Sequence, residues 1–259
     1  MKKKLSATCL AVAFIFSATF ASAALVTQWS YVNDAVFIDW SNEDANQDYM
    51  ALSPDGRKLS WGVPSVFSKT GLQSYLVIDG PVGGNDLMTS GSAVEVVSIT
   101  HFNYLMSSSF PNLAYGKVEA NVEFTPYIPA GQPLPVESTF LEFLFFETPN
   151  SSVATPMDIF VLTDPGATSG TFNYDGYAYN FSFLSDGFGL LTGAYHDYIV
   201  SQLGVDTDYN GWLASEDGST SAQFYLGISA APVPEPATML LLGAGLLGLG
   251  LAARRNKKN

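Results

Sequence analysis

The chain has 259 residues, 11 basic against 24 acidic side chains for a net charge of −13, and a single cysteine. Seven of the basic residues lie in the first four and last six positions, so the stretch between them sets four bases against all 24 acids, a net charge of −20. A field of that sign repels polyphosphate and anionic lipid. It excludes nucleic acid as a partner and leaves the membrane to the two ends.

Lys2, Lys3 and Lys4 open the chain, an apolar run follows from Leu5 to Phe20, and Ala21-Ser22-Ala23 closes it. A basic start, an apolar middle and an A-x-A exit predict a secretory signal peptide over residues 1–23, cut by signal peptidase to leave Ala24 as the new N-terminus. Cys9 falls inside this leader. The exported part therefore has no thiol, which rules out disulfides, thiolate metal sites and cysteine nucleophiles there. An apolar core must hold it.

Residues 24–231 read as one all-β domain, a single β-sandwich or jelly roll, with enough chain for a sizeable core. Strand candidates in chain order are SYLVIDG, VEVVSITHFNYL, YGKVEANVEFT, TFLEFLFFE, MDIFVLT, YAYNFSFL and AQFYLGIS, separated by Gly, Pro, Asn and Asp. In YGKVEANVEFT, Val118, Ala120, Val122 and Phe124 alternate with Lys117, Glu119, Asn121 and Glu123, the period of a half-buried strand. Helical spacing is confined to a short turn around Tyr195 to Leu203. Ala230-Ala231-Pro232-Val233 reads as a linker, since proline and small residues do not favour continuing a sheet.

Several constellations bear on chemistry. Strand alternation places His101 and Asn103 on one face of SITHFNYL, with Thr100 and Phe102 on the other. One reading makes the pair a metal or sugar-hydroxyl ligand; the other makes it a structural tie between strand and loop. Local carboxylate pairs do not suit glycoside hydrolysis: Glu142 and Glu147 face opposite sides, and Glu119 and Glu123 stand about 13 Å apart on one face. No G-x-S-x-G elbow supports an acyl-transfer triad. No catalytic residue is assigned. In DTDYNGWLASED, Asp206, Asp208 and Asn210 alternate, Gly211 permits a sharp turn and Asp217 closes a twelve-residue loop of the calcium-binding kind. Calcium is the one cofactor this pattern suggests, against a plain solvated turn. Aromatics thicken between Tyr174 and Trp212, which suits either core packing or stacking on sugar rings.

The last stretch, VPEPATMLLLGAGLLGLGLAARRNKKN, combines Pro234-Glu235-Pro236, an uncharged apolar run from Ala237 to Ala253 and a basic end beginning with Arg254 and Arg255. The run meets the short limit for a transmembrane helix of about 17–25 residues, with the basic end held on the cytoplasmic side. This order of parts resembles the PEP-CTERM sorting signal of Gram-negative bacteria, covering residues 232–259. The resemblance implies export, brief anchoring in the inner membrane through that helix, and removal of the helix by an exosortase that recognises Pro234-Glu235-Pro236. Thr100-His101-x-Asn103, LSWGVPS and NGWLASEDGSTSAQFYLGIS further resemble the THxN family of PEP-CTERM proteins and related choice-of-anchor domains, to which no reaction is attached. Together these resemblances imply a non-enzymatic structural or adhesive protein of the cell surface or biofilm matrix, in contact with extracellular polysaccharide. The alternatives are a carbohydrate-binding module, betrayed by an exposed Tyr/Trp row, and a glycan-active hydrolase, betrayed by paired carboxylates in a cleft.

Overall fold

A computed structural model describes residues 24–148, 157–164, 168–215 and 218–233, together with 243, 245 and 246. The chain is nearly all β, in two antiparallel seven-stranded sheets. Sheet I runs in the order β12 (Gly189–Leu190), β13 (Asn210–Ser215), β9 (Met157–Leu162), β8 (Glu137–Phe146), β7 (Leu113–Ile128), β1 (Gln28–Asn42) and β5 (Val82–Met88). Sheet II runs β10 (Ser169–Tyr174), β11 (Tyr177–Ser185), β14 (Ser219–Pro232), β6 (Val94–Phe102), β4 (Ser74–Ile78), β3 (Lys58–Trp61) and β2 (Met50–Leu52). A ten-residue helix, α1 (Ala194–Leu203), ends where Gly204 takes φ 70° and donates its N–H to Val200 O, a backbone setting that glycine adopts without a Cβ penalty.

The two sheets share one apolar core, an arrangement consistent with a β-sandwich. In β7 the alternation is direct: Val118, Val122 and Phe124 are buried while Lys117, Glu119, Asn121 and Glu123 are less so. In β11, Tyr179, Phe181 and Phe183 turn inward. Four successive residues of β9, Asp158 to Val161, are buried, which alternation alone does not explain. The cause is α1, which brings Tyr195, Tyr198 and Ile199 over the outer face of sheet I and covers Ile159 and Val161. Both faces of β9 are thereby dry.

Trp29 of β1 joins the sheets. Its ring makes edge-on contacts with Phe124 of its own sheet and with Phe172, Tyr174 and Tyr179 of sheet II, at centroid separations of 4.9–6.0 Å. Its Nε1–H donates to Thr89 Oγ1 at 3.0 Å, so the buried indole is also satisfied.

One sequence expectation fails here. Ala230 to Pro232 is not a linker but the end of β14, with Ala230 opposite Tyr179 and Pro232 opposite Tyr177. The Val233 N–H donates to Gly176 O at 2.9 Å. By antiparallel alternation, Pro232 then occupies a position whose nitrogen points away from β11. On that side β6 has already ended, pairing Val94 with Leu226, so the proline interrupts no ladder bond.

Replacing Trp29 with alanine removes the shared contact of both sheets and should lower unfolding stability by about 3–5 kcal/mol. Urea unfolding of the two proteins measures this; a loss below about 1 kcal/mol would show that the sheets do not depend on the ring.

Candidate functional site

His101 and Asn103 point into the protein from the end of β6 and its following residues. His101 is 1% exposed and sits among rings: it stacks on Trp61 at 5.4 Å and 14°, and meets Phe145 and Phe160 edge-on at 5.7 and 5.2 Å. Neither ring nitrogen has a hydrogen-bond partner among the described residues, and the same holds for Trp61 Nε1. Burial alone pushes the imidazole down to about 3, so at neutral pH it is uncharged. An enclosed, neutral imidazole is a poor general base for any external substrate.

Asn103 is the structural centre of a polar cluster. Its Nδ2 donates to Asp158 Oδ2 at 2.7 Å, its backbone N–H to Gly218 O at 2.9 Å, and Ser74 Oγ lies 3.4 Å from its Oδ1. Asp158 is fully buried, and its Oδ1 accepts the Thr148 N–H at 3.0 Å. The cluster ties β6 of sheet II to β9 and the chain after β8 in sheet I. Asp158 was missed in the sequence, although a lone aspartate inside the apolar strand MDIFVLT marks a buried polar group in need of donors. Thr100 lies on the other face, its hydroxyl 2.8 Å from Ser221 Oγ on β14.

The proposed calcium loop is divided. Asp206 and Asp208 lie in the connection after α1, while Asn210 and Gly211 open β13, paired with Leu190 and Gly189. Gly211 thus lies in a strand instead of a turn. Asp217 is outside the described residues. Residues 210–215 are extended, a strand about 17 Å long. His196 Nε2 stands 3.0 Å from Thr207 O and 3.7 Å from Asp206 Oδ1, whose side chain is 84% exposed. Among the described residues no three His, Cys, Asp or Glu side chains gather to hold a metal ion.

The other candidates also find places. Glu142 Oε1 pairs with Lys117 Nζ at 2.7 Å. Three tryptophans, Trp29, Trp61 and Trp212, are buried and Trp40 packs on the core, so no exposed tryptophan row exists. On the outer face of sheet II, Tyr75 stacks on Phe102 at 4.6 Å and carries Lys58 Nζ over its ring at 3.8 Å. Beside Phe102 lies a groove of about 540 Å³ lined by Phe67, Lys69, Tyr104 and Ser219 among others.

The functional signal lies where β14 ends. Residues 232–256 match the PEP-CTERM protein-sorting motif. This marks an exported protein that passes through the membrane, is processed by an exosortase and is sorted to the cell surface. Pro234, Glu235, Pro236, Arg254 and Arg255 belong to the matched stretch and lie outside the described residues. So does the predicted leader, residues 1–23. Among the described residues no helix is long and apolar enough to cross a membrane. No curated protein matches the chain closely enough to count as a relative.

The buried imidazole gives a signed pH dependence. Its folded value lies below the ordinary 6.5, so folding favours the neutral form, and the unfolded chain binds the extra proton as pH falls. The contribution is full above about pH 6.5 and is lost towards pH 3, at about 1.4 kcal/mol per pH unit in that window. His101→Phe keeps a ring in the aromatic nest and removes the proton. Relative to wild type its stability should therefore rise as pH drops from 6.5 towards 3, as read by denaturant unfolding at several pH values. A difference that stays flat over that range would contradict a neutral buried histidine.

Proposed function

We propose that the protein is a non-enzymatic structural or adhesive component of the cell surface or biofilm matrix of a Gram-negative bacterium, associated with extracellular polysaccharide. On this reading a signal peptide over residues 1–23 directs export, Ala237 to Ala253 anchors the chain briefly as a membrane helix, and the exosortase acts at Pro234-Glu235-Pro236. The observation that carries it is the sorting motif, which begins at residue 232 on the last residue of β14. Support for the absence of catalysis comes from the domain: its conspicuous histidine is enclosed and neutral, and its buried aspartate is spent on Asn103 and Thr148. The likeness of Thr100, His101 and Asn103 to the THxN signature fits this view, with His101 and Asn103 as fold determinants.

A second reading, a carbohydrate-binding module, is favoured by the groove beside Phe102, where aromatic rings and hydroxyls lie together in the manner sugar rings require.

Replacing Pro234, Glu235 and Pro236 by alanine should leave export intact and the chain uncut in the membrane fraction, with the mass of the tail still attached. Intact-mass measurement on fractionated cells checks this. A mutant with the C-terminus and location of the wild type would remove the sorting reading.

A further inference from the structure

Both ends of the described domain meet at one hairpin turn. Between β10 and β11, Asp175 Oδ2 accepts the Ala24 N–H at 2.8 Å, and the neighbouring Gly176 O accepts the Val233 N–H at 2.9 Å. The chain preceding Ala24 and the chain following Val233 therefore leave from the same spot. Each leads quickly into an apolar run: Phe20 ends one, Ala237 begins the other, and each lies four residues away. Four residues reach at most about 14 Å.

The surface at this end differs from the rest of the molecule. It is built from 24–28, the end of β5 and its turn at 88–93, the end of β7 and the chain after it at 125–133, the hairpin at 172–178 and the close of β14 at 228–233. These segments contain a single charged side chain, Asp175, and its carboxylate is engaged by Ala24. Leu25, Met88, Tyr127, Ile128 and Val233 are 37–50% exposed here. At the opposite end, reached along the 15 residues of β1, Glu43, Asp44 and Asp48 crowd the β1–β2 turn. The register Gly211–Val161–Leu144–Tyr115–Ser41 sets Asp206 and Asp208 near that same end.

We propose that the charge-poor end, with Leu25, Tyr127, Ile128 and Val233 as its contacts, seats on the lipid bilayer surface while the chain is anchored. The inference rests on the reading of the tail as a membrane anchor. With at most about 14 Å of chain and a headgroup layer about 5–8 Å deep, the domain has no room to stand clear of the bilayer. Exposed Tyr and aliphatic groups suit the interface, where aromatic rings concentrate in membrane proteins. A negative lipid surface repels the acidic far end over a Debye length of about 8–10 Å and so favours the same orientation. His101, Asn103 and the Phe102 groove, at the far end of β6, then face away from the membrane.

The test uses the full chain carrying Cys9→Ser and one new cysteine, Ile128→Cys or, in the far turn, Gln47→Cys, each labelled with a polarity-sensitive dye. The proteins are reconstituted into vesicles of phosphatidylethanolamine with a minority of phosphatidylglycerol. Both positions are exposed, so neither label disturbs the core. Seating predicts blue-shifted emission at 128, quenched several-fold more strongly by a headgroup-attached quencher than at 47. A chain that floats with the vesicles but shows water-like emission and equal quenching at both positions overturns the seating alone. A chain that does not float with the vesicles overturns the anchor as well, and the seating falls with it.

Discussion

The edge-on nest around Trp29 is the contact on which the two sheets depend. Phe124 approaches it from sheet I, and Phe172, Tyr174 and Tyr179 approach it from sheet II. Beyond Cys9 the chain has no cysteine, so no disulfide within it shares that duty. Aromatic side chains suit it because each buries a large apolar area and holds a defined angle to its neighbours. The same nest fixes the lower end of the domain: the Tyr179 hydroxyl accepts the Val26 N–H at 2.9 Å, anchoring the chain just after the predicted leader exit. Packing thus decides where the N-terminal junction emerges.

A second aromatic cluster, around Trp61, His101, Phe145 and Phe160, closes the other end. It encloses an ionisable ring and lies next to a buried aspartate, two features that in an open cleft would point to catalysis. Here both are sealed. The Asn103–Asp158 bond crosses from one sheet to the other, and such a buried polar tie fixes relative placement because any slip leaves a carboxylate without its donors. The domain therefore has two chemically distinct ends. One is acidic at its rim and polar-tied within; the other is nearly uncharged and holds both chain junctions.

Much of the fold was legible in the residues. Alternation in YGKVEANVEFT and YAYNFSFL named the inward sets of β7 and β11, and the short helical spacing near Tyr195 became α1. The sorting motif was legible too, since its parts are contiguous in sequence. What could not be read was whatever depends on strands distant in sequence coming together. Asp158 sits 55 residues from Asn103, and nothing local joins them. The strand within DTDYNGWLASED was not legible either, because it is pairing with β9, distant in sequence, that draws residues 210–215 out of a loop. Pro232 misled for a related reason: proline stops a strand only where its missing N–H would have been used, and β6 ends before reaching it.

The folded domain meets the sorting motif directly. Strand β14 runs to Pro232 and Val233 is still hydrogen-bonded, so the sorting motif begins on the folded domain itself. Native-state hydrogen exchange on the full chain, resolved at single amides across β14, tests it directly. By antiparallel alternation the amides of Gly227, Ser229, Ala231 and Val233 face β11. The account predicts that all four exchange far more slowly than an unstructured chain, with protection reaching Val233. Fast exchange from Gly227 onward would instead show a flexible tether between the domain and its sorting motif.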